Sequence, residues 1–326
     1  LANFKINIMK YSIRGYTFGY LLVFIWSIFK WSTYGFNPVV VPGIFEPFYA
    51  DHTIYAASGV FLFLFWVFAA FNAGQKEKIL AITVAIAVLM AIRVANSRAA
   101  FLSLPVGFIV VFGVLKGFRK RHLALTMAAV FALLFMYRNA IYNWISYNDY
   151  NSRDEHAGLL ERTASVGNVQ TDVSNLERIN RWVAALNMFN EKPIIGFGPG
   201  TFQYSYIQYQ DSKYMNRLSV TDVYHIPKNS GGTVHSEPLL FLSELGGLGF
   251  LAWLILIVTW IWWLLSVPKA NRSIYLAVSA GMLATYLFHG LFNNFLNTDK
   301  LAFLFWGCAA IMMIELENGN KRKSIL

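Results

Sequence analysis

The chain alternates between long apolar stretches and short polar connectors. A membrane crossing needs about 20 mostly apolar residues, so stretches almost free of Asp, Glu, Lys and Arg predict transmembrane helices. Eight such stretches are present, near Gly15–Phe29, Thr53–Gly74, Ile79–Ala95, Ala99–Leu115, Leu123–Tyr137, Pro238–Val267, Ser273–Phe292 and Leu301–Ile314. Several are short, which predicts tilted or partly sheltered helices.

The connectors between these stretches alternate in charge. Basic residues fall on every second connector, namely Lys5, Lys10 and Arg14; Lys76 and Lys78; Lys116, Arg119, Lys120 and Arg121; Lys269 and Arg272; and Lys321, Arg322 and Lys323. The positive-inside rule places these connectors, and both termini, in the cytoplasm. The remaining connectors, which include residues 30–52 and 138–236, then lie outside.

The pattern therefore predicts an all-α, polytopic membrane protein with about eight transmembrane helices. Five helices occupy residues 1–137, a mostly helical extracytoplasmic loop domain occupies residues 138–236, and three helices with a basic cytoplasmic tail occupy residues 237–326. Because the first residue is Leu rather than Met, we expect further helices to precede this chain.

Composition agrees with a membrane protein, since 56% of the residues are hydrophobic, 17% aromatic and 13% charged. These values exclude a disordered chain, a collagen-like rod and a disulfide scaffold. On the predicted topology, the cytoplasmic side carries 14 basic and 3 acidic residues, and the outside carries 13 basic and 14 acidic residues. The net charge of +10 is therefore a topology signal and gives no indication of a nucleic-acid partner.

The long segment 138–236 has nine basic and nine acidic residues, unlike the skewed composition of disordered tails. Its clearest element is a helix that starts at Ser174, where Ser174 and Glu177 have capping-box spacing. Apolar residues then recur at helical spacing up to Pro193; they are Leu176, Ile179, Val183, Leu186 and Phe189. Arg178 and Arg181 share one face of this helix, and Trp182 is four residues from Arg178.

A glycine-rich turn, Gly196-Phe197-Gly198-Pro199-Gly200-Thr201, follows the helix. It lacks the spacing of a nucleotide-binding phosphate loop. Two interpretations remain: the amides near Gly198 and Gly200 hold an anion, or the turn merely returns the chain to the membrane.

His235 lies directly before the sixth apolar stretch, where Ser236 can cap the helix and Pro238 fits its first turn. The positive end of a helix favours a neutral imidazole, which can accept a proton. His235 is therefore a candidate base, with a structural role as the alternative.

Arg93 and Arg98 bracket a very short external turn. An arginine at the membrane edge faces a polar cavity or snorkels to the interface. Guanidinium groups suit phosphate because they donate two parallel hydrogen bonds. Asp51 and His52 form either an acid–base pair or a polar cap, and His289, near Asn293 and Asn294, is a candidate buried polar contact. The sequence contains no metal-ligand spacing and implies no metal or other cofactor.

Several motifs together resemble the O-antigen ligase and polymerase superfamily. They are Ser97-Arg98-Ala99; Arg178-Ile179-Asn180-Arg181-Trp182; Pro193-Ile194-Ile195-Gly196-Phe197-Gly198-Pro199-Gly200; His235-Ser236-Glu237-Pro238; and Glu244-Leu245-Gly246-Gly247-Leu248-Gly249. The similarity extends from about Asp51 to Ile314. Family members more often have Asn after the histidine, where this chain has Ser-Glu-Pro, so the resemblance does not specify the acceptor.

The resemblance implies a metal-independent, inverting glycosyltransferase that takes a glycan from undecaprenyl diphosphate at the periplasmic face of the bacterial inner membrane. Residues 138–236 would then form a periplasmic loop domain. The acceptor would be lipid A-core or another glycan hydroxyl. The resemblance assigns catalysis to His235 and Arg178. It assigns diphosphate binding to Arg98, Arg178 and Arg181, of which Arg181 is the least directly matched. Glu237, Trp182, Gly198 and Gly200 are candidate supporting residues, and membrane lipids surround the protein.

Three alternatives stay open at this point. A polymerase of the same superfamily would extend one lipid-linked glycan with another. A transporter of lipid-linked glycan would need a two-sided path and matching halves, whereas the polar groups here gather on one face without a visible repeat. A structural anchor or sensor would not need arginines at the membrane edge.

Overall fold

The computed structural model describes residues 2–117, 136, 173–211, 214 and 232–321. Every regular element in this part of the chain is helical, which confirms the predicted all-α class. The helices are α1 (Ala2–Thr33), α2 (His52–Phe71), α3 (Gln75–Ala95), α4 (Arg98–Lys116), α5 (Val173–Glu191), α6 (Phe202–Ser205), α7 (Glu237–Ser266), α8 (Ile274–His289) and α9 (Asp299–Lys321).

Six of these helices are long and apolar enough to cross a membrane, namely α1, α2, α3, α4, α7 and α9. Helix α8 is apolar but has 16 residues, so it is shorter than the span predicted there. The predicted span Leu123–Tyr137 lies outside the described residues apart from Met136. The structure thus supports a multi-pass membrane protein, while the count of eight helices and the periplasmic side of residues 138–236 stay predictions.

The chain divides into two compact units. The first comprises Leu1–Phe118, Trp263–His289 and Phe295–Leu326, and the second comprises Arg119–Trp262 and Gly290–Asn294. The division by membrane side into residues 1–137, 138–236 and 237–326 stays a prediction.

Helix α2 lies at the centre of the first unit, where it packs against α3, α4, α8 and α9. Helices α4 and α8 approach closely at Gly107 and Gly281. A Cβ atom on Gly107 would lie 2.6 Å from Leu64 Cδ1, and one on Gly281 would lie 2.9 Å from the Gly107 carbonyl oxygen. Small residues allow this close contact between helix backbones, as is usual in membrane proteins.

Arg98 follows the tight turn that the sequence predicts between the third and fourth apolar stretches. Asn96 closes α3 in a left-handed conformation, with φ 52° and ψ 41°. The Ser97 side chain then caps α4 by accepting a hydrogen bond from the Ala100 amide at 3.4 Å. Arg98 is therefore the first residue of α4, and Arg93 occupies the last turn of α3.

Asp51 and His52 have structural contacts in the first unit. The Asp51 carboxylate caps α2 by accepting from the Thr53 amide at 2.6 Å. The Nδ1 atom of His52 lies 2.5 Å from the carbonyl oxygen of Ala95, at the end of α3. His289, at the end of α8, is buried with 2% exposure.

Candidate active site

Helix α5 organises the second unit. It begins at Val173, one residue before the predicted cap at Ser174, whose side chain lies outside the described side chains. The residues that form its buried core are Ala184, Ala185 and Met188, together with Phe202, Tyr206 and Val234. Leu186 is 44% exposed, so the apolar repeat predicted the helix but not the face that packs.

The buried face of α5 also carries an ion pair. Arg181 Nε donates to Glu177 Oε1 at 2.7 Å, and the two side chains are only 6% and 8% exposed. The i, i+4 spacing places them on the same side of the helix. Glu177, which the sequence predicted as half of a capping box, is therefore the partner of a buried arginine.

Arg181 joins α5 to the segment that precedes α7. Its Nη1 donates to the carbonyl oxygen of Thr233 at 3.1 Å, and its guanidinium lies 5.1 Å from the centroid of the Tyr206 ring. A Cβ atom on Gly232 would clash with Arg181 Nη1, so a side chain at position 232 would displace the guanidinium. The guanidinium of Arg181 thus contacts several protein groups, and its role on a diphosphate stays a prediction.

His235 has an unusual backbone conformation, with φ 57°. Left-handed φ is uncommon for residues other than glycine and persists where neighbours enforce it. The His235 amide donates to Asn294 Oδ1 at 2.9 Å, and the indole N–H of Trp182 donates to the His235 carbonyl oxygen at 3.4 Å. Asn294 Nδ2 also donates to Thr233 Oγ1, which ties the segment at two points.

The environment of the His235 imidazole keeps it neutral. Burial, followed by the positive charges of Arg178 and Arg181, lowers its pKa from 6.5 to about 3, although a side-chain hydrogen bond with Asn293 raises it. Nδ1 is buried and has no hydrogen-bond partner within the described residues. The structure therefore brings together an unprotonated imidazole and two arginines.

The other predicted residues are distributed over both units. Arg178, on α5, is half-buried and close enough to His235 for its positive charge to lower the pKa of His235. Glu237 is buried at the start of α7, where its amide donates to the Gly290 carbonyl oxygen at 2.7 Å. Arg98 belongs to the first unit, so its relation to His235 stays a prediction.

Helix α7 is interrupted at Gly246, where φ is 66° and ψ is −167°. The sequence predicted one continuous span here. The loop after α5 fills the interruption: the amides of Phe197 and Gly198 donate to the carbonyl oxygens of Ser243 and Glu244 at 3.1 and 2.7 Å. We call residues 193–202 and 243–248 together the loop–helix joint.

Two further hydrogen bonds close the loop–helix joint from the other side of the break. The amide of Gly247 donates to the Pro193 carbonyl oxygen at 2.7 Å, and that of Leu248 donates to the Ile194 carbonyl oxygen at 3.2 Å. Non-helical backbone at membrane depth needs such partners because lipid offers none.

The glycines of the joint permit this contact. A Cβ atom on Gly196 would lie 2.5 Å from the Glu244 carbonyl carbon, and one on Gly246 would lie 2.4 Å from the Ile194 carbonyl carbon. Both glycines also have φ +66°, a conformation that other residues adopt at a cost. The Gly198 amide is bound to Glu244 O, and the Gly200 amide donates to Glu244 Oε2 at 2.8 Å. The anion beside this turn is thus the protein's own carboxylate.

Sequence reasoning missed several members of this unit. Asn293 and Asn294 were interpreted only as neighbours of His289, yet they contact the ring and the backbone of His235. Two consecutive amide side chains at the end of an apolar stretch were the available signal. A second signal was Glu244, because it is a carboxylate within an apolar stretch.

No group of three or more His, Cys, Asp or Glu side chains within the described residues could hold a metal ion.

The helices define a multi-pass membrane protein, whose second unit combines a neutral histidine with arginines. The O-antigen ligase family profile matches residues 82–254, slightly more than half of the 326 residues. The chain belongs to the O-antigen ligase family. Membership implies a glycosyltransferase- or ligase-type enzyme that acts on a lipid-linked glycan and a glycan acceptor. A search of curated proteins found no match.

Proposed function

We propose that this protein transfers a glycan from undecaprenyl diphosphate to an acceptor hydroxyl at the periplasmic face of the inner membrane. The observation that carries the proposal is the His235 imidazole, which is unprotonated and lies beside arginine charge. A neutral imidazole can take a proton from a hydroxyl, and a guanidinium can hold a diphosphate.

His235 is the proposed general base. Since Nδ1 has no partner in the described part of the chain, the bond with Asn293 falls to Nε2. That bond raises the pKa of His235, as expected when Nε2–H donates to the Asn293 amide oxygen. Nδ1 then carries the free lone pair and receives the acceptor proton.

Arg178 is the proposed ligand of the donor diphosphate. The acceptor oxygen attacks the anomeric carbon, the bond from that carbon to the diphosphate oxygen breaks, and the electron pair leaves with undecaprenyl diphosphate. Attack opposite the leaving group inverts the anomeric centre. Arg178 offsets the charge that develops on the leaving oxygen. By motif alone, the role of diphosphate ligand extends to Arg98.

Donor binding would also activate the base. In the free site, burial is the largest cause of the low pKa of His235, and the charges of Arg178 and Arg181 lower the pKa further. A bound diphosphate would neutralise part of this charge and raise the pKa of His235 toward its ordinary value. A base is most effective when its pKa lies near the working pH, so the donor would prepare His235 for the acceptor.

Arg181, Trp182 and Asn294 are proposed to hold this arrangement, because each contacts the backbone at or near His235. Glu237 is a further candidate orienting residue, from its position two residues after His235 and its burial.

The test is a reconstituted transfer reaction. Purified protein would be incubated with undecaprenyl-diphosphate-linked glycan and, separately, with lipid A-core or a second lipid-linked glycan as acceptor. A new glycosidic bond to lipid A-core identifies a ligase, and a lengthened lipid-linked glycan identifies a polymerase. Translocation of donor across vesicles without any new bond would overturn the proposal.

A further inference from the structure

Glu244 is a carboxylate within a membrane-spanning helix. It lies seven residues into α7, or about 10 Å from the start of the helix at 1.5 Å per residue, and is 8% exposed. Ionisable residues at such positions are costly and are usually paired or functional. The proposed mechanism does not use this side chain.

Both oxygens of the Glu244 carboxylate are bound by the chain that follows α5. Oε2 accepts from the Gly200 amide at 2.8 Å, and Oε1 accepts from the Phe202 amide at 3.0 Å. Hydrogen bonds to an ionised carboxylate are stronger than those between neutral groups. Glu244 thus anchors the loop–helix joint through its side chain as well as its carbonyl oxygen.

A continuous series of contacts leads from this anchor toward His235. The Phe202 ring stacks on Tyr206, with 5.0 Å between centroids. The Tyr206 ring lies under the Arg181 guanidinium, which donates to the Thr233 carbonyl oxygen. Phe202, Tyr206 and Val234 are all at most 1% exposed and belong to one packed core. A shift at Phe202 therefore displaces close-packed neighbours rather than empty space.

We propose that Glu244 is a positioning residue for glycosyl transfer: by fixing the Gly200 and Phe202 amides, it sets the position of the core beneath the segment that carries His235. The inference rests on the proposed function. It assigns the broken membrane helix a role in catalysis in addition to stability.

The test compares Glu244→Gln with a matched control, Glu191→Gln. Glutamine keeps the shape of glutamate but replaces one acceptor oxygen with a donor NH₂, which then faces a backbone amide. Glu191 lies in the same unit, is exposed, and accepts from the Tyr209 hydroxyl at 2.7 Å. Both variants remove one negative charge, but only Glu244→Gln disturbs the joint.

We expect Glu244→Gln to lower kcat by about 10-fold to 100-fold, since a displacement of about 1 Å can cost a factor of 100. The KM for the donor should stay within about two-fold because Arg178 is not touched. The acidic limb of kcat/KM should move to higher pH, since a less tightly held imidazole is less buried. Glu191→Gln should match the wild type in all three measurements.

A role confined to folding gives a different result. If Glu244→Gln only reduced the amount of folded protein, the apparent kcat would fall in proportion to the monodisperse fraction on size-exclusion chromatography, and the pH profile would not move. That result would overturn the proposal. So would a variant with wild-type kcat. If Glu244→Gln does not fold, Phe202→Leu replaces the next contact in the series and must show the same drop in kcat and the same shift in pH profile. A wild-type protein that forms no glycosidic bond would instead refute the proposed function.

Discussion

Replacement of Arg181 by methionine is expected to destabilise the second unit strongly. The guanidinium is 6% exposed and its Nε lies 2.7 Å from Glu177 Oε1. Its removal leaves the Glu177 carboxylate buried without this partner, and the Thr233 carbonyl oxygen loses the hydrogen bond from Nη1.

The magnitude follows from this geometry. Removing one member of a buried ion pair costs about 3–5 kcal/mol, because the remaining charge stays desolvated. A carbonyl that loses its partner costs about 1–3 kcal/mol, part of which is already contained in the first figure. We therefore expect a loss of about 3–5 kcal/mol for Arg181→Met.

A double replacement separates the pair from its surroundings. Glu177→Gln alone leaves the arginine charge buried, so it should also destabilise the protein. Combining Glu177→Gln with Arg181→Met removes both charges, and the total loss should be smaller than the sum of the single losses by about 1 kcal/mol or more.

The assay is thermal unfolding of the detergent-solubilised protein, followed by the monodisperse fraction on size-exclusion chromatography. At about 2 °C or more per kcal/mol, Arg181→Met should lower the midpoint by about 6 °C or more. Lys192→Met is the matched control, because it removes a positive charge from an exposed residue of the same unit. An Arg181→Met midpoint equal to that of Lys192→Met would refute the reasoning.

Three further outcomes are expected. His235→Gln should lower kcat by about 10²–10⁴, the contribution of a positioned base, without loss of monodisperse protein; transfer at the wild-type rate would exclude His235 as the base. Arg178→Lys keeps the charge but loses the planar fork, so the donor KM should rise by about 10-fold in the transfer assay, and an unchanged KM and kcat would contradict the assigned role. The pKa of His235 is about 3 in the folded protein, against an ordinary value of 6.5. Between these two pH values the unfolded chain binds more protons than the folded protein. The free energy of unfolding therefore falls as the pH drops below 6.5, by up to about 1.4 kcal/mol per pH unit. Thermal midpoints at pH 7 and pH 5 should therefore differ more for the wild type than for His235→Gln, and equal differences would refute the buried neutral state.

The site was only partly predictable because periodicity does not specify which face of a helix packs. The apolar repeat predicted a helix near Ser174, and the helix is present as α5. Its packed face nevertheless carries Glu177 and Arg181, whereas Leu186 is exposed. A salt bridge and a bond to Thr233 compensate the buried charges, and neither partner choice is visible in a hydropathy pattern.

The sequence by itself determined the features that depend on neighbouring residues. Apolar stretches of membrane length identified the long helices, because lipid requires apolar side chains over the whole crossing. The pattern of apolar stretches predicted the tight turn before Arg98, which the structure contains. The motifs around Arg178 and His235 were sufficient to indicate the family.

Only the tertiary structure decided the features that depend on distant partners. The break at Gly246 is possible because a loop some 50 residues earlier in the chain supplies the missing hydrogen bonds. The low pKa of His235 likewise depends on burial and on arginines from α5. Hydrogen bonds and charge interactions act over a few ångströms in space, and only the folded chain brings these groups within that range.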